Sequence, residues 1–266
     1  QIFTFGDIKN IKKKNKRRKS MTIDEFLELA RNRRSVRKIK PDPIPDGIIE
    51  KVLDAAHWAQ SGANAQPWEF IVVRDKSTIH KMADITTDFR VNTAWHIEKT
   101  RIQEFRHRNF IDGPKDGPPG WIDAPVVIVM LGDPRTTQAS VAVSQYLPHE
   151  GGTGAHSLKN MANATQILQL AVAAAGLGSQ WASINYSVER QLKELLNIPD
   201  QLIIHTLVPI GYPAITPGPG VRRDIKEITH YDKYDQSRAR TAEDVYEFIL
   251  NLRKKTQQAY NPAQQP

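Results

Sequence analysis

The feature that most constrains this 266-residue chain is one uninterrupted apolar run, from Ala124 to Leu131. It is too short to cross a bilayer, which takes about 20 apolar residues. Over residues 126–131 (Val-Val-Ile-Val-Met-Leu) it predicts a buried strand. Apolar residues make up 39% of the chain and charged residues 25%, enough for a sizeable core and incompatible with global disorder. Cysteine is absent, which removes disulfides, thiolate zinc sites, iron–sulfur clusters and cysteine nucleophiles together.

The net charge of +8 is concentrated in a tail. Residues 1–20 carry Lys9, Lys12, Lys13, Lys14, Lys16, Arg17, Arg18 and Lys19 against Asp7 alone, and the rest of the chain balances to +1. Such a tail can contact nucleic acid or anionic lipid. The plainer reading is an upstream extension, because Met21 resembles a natural start and no apolar stretch follows the charges as a secretory signal requires. Nucleic acid and membrane are therefore not expected partners, and a cytoplasmic location is the expectation.

From Met21 the punctuation is regular. Thr22-Ile23-Asp24-Glu25 predicts a capping box and a helix that ends in the basic cluster 31–37. Pro41, Pro43 and Pro45 enforce an extended stretch, and Asp46 is placed to cap a second helix bearing Ile48, Ile49, Val52, Leu53 and Ala56. A loop over 61–67 leads to a strand at 68–74. Further helices are expected at 157–175, 188–196 and 241–255, and strands at 180–184 and 203–210. The polar linker 231–240 precedes the last helix. Residues 85–122 stand apart: they are polar, carry Phe89, Trp95, Phe105, Phe110 and Trp121, and end in a Gly/Pro-rich stretch. A segment of this length and composition suits a substrate lid or a helical arm against a partner subunit, and both readings stay open. The mixture predicts one α+β or α/β domain with outlying helices.

Four motifs carry the chemistry. In Arg33-Arg34-Ser35-Val36-Arg37, extended chain of period two turns Arg33, Ser35 and Arg37 to one side, a grip suited to a phosphate dianion. Taken alone, it also fits a solvated basic patch. In Ser61-Gly62-Ala63-Asn64-Ala65-Gln66-Pro67, small residues permit close approach to a flat ring. There Asn64 and Gln66 offer a donor and an acceptor each, although an ordinary turn explains the same string. Gly176-Leu177-Gly178-Ser179-Gln180-Trp181-Ala182-Ser183 joins a small-residue helix to a strand, and a glycine helix stop is the plain alternative. Gly211-Tyr212-Pro213 is followed by Arg222 and Arg223, a second pair of guanidiniums.

In this order, from about residue 22 to about 229, the four motifs resemble the FMN-dependent nitroreductase family. The resemblance implies an α+β, three-layer fold with a central, mostly antiparallel sheet flanked by helices, assembled as an intertwined homodimer with FMN at the interface. It divides the chain into a basic extension at 1–20, an FMN-binding domain at 21–230 and a helical extension at 231–266. It implies that Arg33, Arg34, Ser35 and Arg37 hold the flavin phosphate and ribityl chain, with Arg222 and Arg223 closing that pocket. Ser61, Gly62, Asn64 and Gln66 would reach the partner's FMN, and Ala182 and Ser183 would lie beside the reactive nitrogen of the ring. Gln60 departs from the family's usual proline. The implied reaction is a ping-pong hydride transfer from NADH or NADPH to a small electron-poor aromatic such as a nitroarene or quinone, with no essential catalytic side chain. A long insertion at 85–122 also suits members that remove halogen reductively from a phenol or consume their own flavin, with Arg101 or Glu104 gripping a zwitterion. A reading from another class is a non-catalytic binding protein.

Other patterns are weaker. His149, Glu150 and His156 sit among glycines at a spacing that matches no helical histidine pair, so no metal is expected. The sequence holds no dinucleotide fingerprint, phosphate loop or nucleophile elbow.

Overall fold

The computed structural model describes residues 20–106, 117–138, 152–215, 217, 218 and 220–260. The basic tail lies outside them. Helix α1 spans Ile23–Asn32, and Thr22 and Glu25 close the expected capping box. Helix α2 (Ile48–His57) begins differently from expectation. Gly47, at φ 74°, occupies the cap position with no side-chain bond, and Asp46 does not cap. The left-handed backbone at Gly47 turns the chain out of the proline stretch, a conformation cheap only for glycine. Strand β1 (Trp68–Val73) and helix α3 (Lys76–Phe89) follow, the latter capped by Asp75. A π-helical turn, Arg90–Ala94, leads into the short α4 (Trp95–Glu98) and a 3-10 turn at Gln103–Phe105. Strand β2 (Val126–Gly132), the short α5 (Arg135–Gln138), α6 (Gly152–Ala174), β3 (Gly178–Ser179), α7 (Tyr186–Leu196), β4 (Ile203–Gly211) and α8 (Ala242–Tyr260) complete the described chain.

The four strands pair antiparallel in the order β1-β2-β4-β3. The apolar run is β2, interior to the sheet and buried along its whole length. Its side chains divide by parity, as a period of two requires. Val126, Ile128 and Met130 pack with Ile49, Val52 and Ala56 of α2 and with Met161, Ala164 and Leu168 of α6. Val127, Val129 and Leu131 pack with Ile79, Met82 and Ala83 of α3 and with Val188 and Leu192 of α7. The result is the expected α+β fold, helices on both faces of an antiparallel sheet. Among the described residues no helix is long and apolar enough to cross a membrane.

A further expectation is corrected. The strand placed at 180–184 lies upstream, at Gly178–Ser179, and Ala182 makes only an isolated bridge to Leu207. Pro209 on β4 stands between these pairings, and without an N–H it cannot return the bond that the Gln180 amide makes to its carbonyl at 3.4 Å. In the 85–122 segment, Trp121 is buried and Phe89 packs against the same core, so these two aromatics are structural. Phe110 lies outside the described residues.

Candidate functional site

Beyond α1 the chain turns extended at Arg33, and residues 35–40 run along the edge of the sheet. The Val36 amide donates to the Ser179 carbonyl at 2.9 Å, Ile39 to Gly120 at 3.1 Å and Lys40 to Tyr212 at 2.9 Å, while Ala214 donates back to Lys38 at 2.9 Å. Val36 and Ile39 both face inward, three residues apart, with a bend at Lys38 between them. That bend lies beyond Arg37, so Ser35 and Arg37 still flank the buried Val36.

Three guanidiniums converge beside this edge. Arg34 Cζ and Arg222 Nη1 lie 3.3 and 3.5 Å from the place where a Cβ on Gly220 would stand. Arg33 is half-buried; that burial first, then the charges of Arg222 and Arg34, hold its pKa below the ordinary value. Arg34 Nη1 donates to the carbonyls of Arg31 and Arg33, and Arg222 Nη1 to that of Val221. No carboxylate among the described residues pairs with any of the three. Arg33 and Arg34 line a cavity of about 370 Å³ together with Gln169, Gly178 and Ser179, within the size range of ligand pockets. Gln169 is buried, and its Nε2 donor has no hydrogen-bond partner. Like charges held together and a buried donor left unmatched are both costly, and one anion with further acceptors would relieve both. The residues present therefore fit a phosphate ester such as FMN.

The other members of the two arginine motifs are placed apart. Ser35 bridges to Ser179 through the backbone. Arg37 is exposed and lines a separate depression with Lys38, Arg90, Trp121 and Gln180, so the convergence expected of Arg33, Arg37 and Arg222 is replaced by one of Arg33, Arg34 and Arg222. Arg223 turns away, 3.5 Å from Glu227 and over the ring of Phe248.

The loop 61–66 packs against the first half of α6. Asn160 Oδ1 accepts from the Gly62 amide at 3.1 Å, and Asn163 Nδ2 donates to the Gln60 carbonyl at 3.2 Å. Ser61 Oγ accepts from the Gln66 amide at 3.0 Å. Ala63, Asn64 and Gln66 all have positive φ, at 54°, 52° and 43°. Such concentrated strain persists where the surroundings enforce it, and it is a mark of functional loops. The side chains of Asn64 and Gln66 are exposed. None of this loop lines the cationic cavity, which α6 meets at Gln169 and Ala173. At 1.5 Å per residue, about 9–20 Å of helix separates the residues that hold the loop from those that line the cavity.

The Ala182 amide is committed to Leu207 at 2.9 Å, and its carbonyl accepts from the Leu207 amide and Thr206 Oγ1. Any donor from this pair has to come from Ser183, which is exposed. Beside them His205 is the extra residue of a β-bulge, where Met130 pairs Thr206 and Leu131 pairs Ile204. Its ring meets Trp181 edge-on at 4.9 Å, its Nε2 is buried without a partner, and burial lowers its pKa to about 4. Sequence reasoning passed over Gln169 and His205. For Gln169 a weak signal exists, an amide flanked by Leu168 and Leu170, one of four amides in its helix. For His205 none exists, because the bulge is a matter of pairing. His149 and Glu150 lie outside the described residues, as does the side chain of His156.

The nitroreductase family model matches residues 30–212. A protein of Archaeoglobus fulgidus, provisionally named NADH dehydrogenase/NAD(P)H nitroreductase, is 30% identical over 193 residues, 72% of this chain and 87% of that protein. Iodotyrosine deiodinase 1 of Rattus norvegicus is 26% identical over 201 residues, 73% of this chain and 64% of the relative. A BluB-like flavoprotein from Clostridium difficile 630 shares the fold with a TM-score of 0.61 at 21% identity, over 79% of this chain and 99% of that one. The cationic cavity and the strained loop both begin within the matched stretch, and the chain belongs to the nitroreductase family.

Proposed function

We propose that the chain is an FMN-dependent oxidoreductase that uses NADH or NADPH to reduce small electron-poor aromatics such as nitroarenes or quinones. The observation that carries this reading is the set of Arg33, Arg34 and Arg222 with no carboxylate partner, beside the unmatched donor of Gln169. In this reading Arg33, Arg34 and Arg222 hold the phosphate, Ser35 and Gln169 meet the ribityl hydroxyls, and Arg223 adds long-range positive charge from outside the pocket. When bound, FMN supplies the redox chemistry, taking hydride from the nicotinamide and giving it to the acceptor. The protein's part is to orient. Arg37, over its own depression, offers a cation to the far end of the ligand, and Ser183 offers an amide or hydroxyl beside Ala182. No side chain is assigned as an essential acid or base.

We read the active form as a homodimer with FMN between subunits. Support comes from the loop 61–66, whose Asn64 and Gln66 face solvent and line no part of their own chain's cationic cavity, as a partner-directed Ser61, Gly62, Asn64 and Gln66 set requires. A second reading, reductive removal of halogen from a phenol, draws support from the deiodinase relatives. The test is an absorbance spectrum of the purified protein followed by anaerobic titration with NADH and NADPH. Flavin bands that bleach on titration support the proposal, and a colourless protein that binds no added FMN ends it. Nitroarene against halophenol turnover then separates the two readings.

A further inference from the structure

Helix α8 buries no side chain across residues 242–255, yet it is gripped on two faces. Tyr246 packs against Phe105 with ring centroids 5.0 Å apart. Arg253 stands two turns further along the same face, lies 5.5 Å over the same Phe105 ring and donates from Nη1 to the Arg106 carbonyl at 3.1 Å. Arg106 knits the segment it belongs to. It donates to the carbonyls of Arg101 and Lys99 at 3.2 and 3.0 Å and sits over the ring of Trp95. On another face of α8, Phe248 lies beneath two guanidiniums, Arg223 at 5.6 Å and Arg240 at 5.4 Å. Arg223 is the chain neighbour of Arg222, which stands beside Arg33 and Arg34. All of α8 lies outside the family-matched residues 30–212.

Residues 95–106 follow directly on the π-helical turn Arg90–Ala94. Arg90 lines the same depression as Arg37 and Gln180 and donates to the Gly117 carbonyl. The segment thus leaves the domain at the rim of the site through a turn whose bonding is irregular, the kind of place where helices yield. Of its described aromatics, Phe105 reaches α8, where Tyr246 and Arg253 hold it, while Trp95 lies under Arg106 of the segment itself. Exposed contacts of this kind are individually weak, so a few of them make a fastening that thermal motion can open.

We infer that α8 is a strap that fastens residues 95–106 against the domain, and that Phe105, Tyr246 and Arg253 together set how far this segment opens for an acceptor. The gating half rests on the oxidoreductase reading above; the fastening stands on the contacts alone. The experiment uses the full chain carrying Tyr246→Ala, Arg253→Gln or Phe248→Ala, each at an exposed or half-exposed position. Hydrogen exchange of residues 95–106 should accelerate about tenfold relative to the amides of β2 and β4. The ratio of kcat/KM for a bulky over a small nitroarene should rise several-fold, with flavin content unchanged. Exchange at 95–106 that stays at the native rate in all three variants, or that accelerates equally in β2 and β4, overturns the strap. Faster local exchange with an unchanged acceptor ratio overturns the gating role. A protein that proves to bind no flavin removes the oxidoreductase reading and leaves the exchange result to decide the fastening.

Discussion

The Val36 amide donates to the Ser179 carbonyl at 2.9 Å, and one residue away a Cβ on Gly178 would stand 2.5 Å from Val36 Cγ2. The stretch that carries Arg33 and Arg34 is thus seated on the sheet through a backbone contact that only glycine permits. Gly178→Ala should lower stability by about 1–3 kcal/mol, the usual cost of forcing volume into a packed site. It should weaken flavin binding as well, because the two arginines ride on the displaced strand. Val36→Ala removes the two methyls at 2.5 and 2.9 Å but keeps a Cβ 2.7 Å away, so the double variant should recover only part of the loss caused by Gly178→Ala. Urea denaturation of the four proteins in a double-mutant cycle measures this, and strictly additive losses would contradict the contact.

Arg33, Arg34 and Arg222 stand close enough to repel one another, and in the proposed reading their assembly serves an anion rather than the fold. Arg33→Gln or Arg222→Gln should leave the apo protein as stable as the parent or slightly more so. Each should weaken FMN by about 10–100-fold, since a hydrogen bond to a charged group is worth about 1.5–3 kcal/mol. Arg223→Gln should weaken it far less, because that side chain is directed to Glu227 and Phe248. Flavin fluorescence titration ranks the three. An Arg223 variant as damaged as the Arg33 variant would place Arg223 in the pocket after all.

What the sequence disclosed and what it concealed divide along physical lines. Periodicity reports burial, so β2, α2, α6 and α7 were legible, as was the Thr22–Glu25 cap, a purely local pattern. The strand near 180 was misplaced because its limit is set by Pro209 on a partner strand. Convergence of Arg33 with Arg222 was suggested by resemblance, since nothing local joins residues nearly 190 apart. Arg37 escaped because the depression it lines is built with Arg90, Trp121 and Gln180, which no local pattern joins to it, and the unmatched donor of Gln169 becomes visible only once neighbours are known.

The loop 61–66 makes a prediction of opposite sign. Ala63 sits at φ 54°, where a Cβ costs about 1–2 kcal/mol, so Ala63→Gly should stabilise by about 0.5 kcal/mol after the greater freedom of glycine in the unfolded chain is counted. Asn160→Ala should do the reverse, costing about 1 kcal/mol, because the half-buried Gly62 amide loses its acceptor. If the loop serves the partner's FMN, the Asn160 variant should also lose flavin in proportion to dimer. Thermal melts and sedimentation with absorbance at flavin wavelengths follow both. A stable, fully yellow Asn160→Ala dimer would show that the loop is ordinary connection.

His205 gives the pH dependence its sign. Burial takes its pKa from 6.5 to about 4. Between those values the unfolded chain accepts a proton at this site that the folded chain refuses, so stability is intact above about pH 6.5 and falls as the pH drops toward 4. The slope is at most about 1.4 kcal/mol per pH unit, and less in practice because the ring keeps some solvent contact. His205→Phe retains an edge-on ring for Trp181 and removes both the titration and the unmatched Nε2. At pH 7.5 the variant should match or exceed the parent, and its advantage should widen steadily down to pH 5. Because His205 is the bulged residue of β4, beside the Thr206 hydroxyl that holds the Ala182 carbonyl, the parent's loss on acidification should begin there. Urea midpoints at intervals from pH 7.5 to 5 test the slope, and parallel curves for the two proteins would remove His205 as its source.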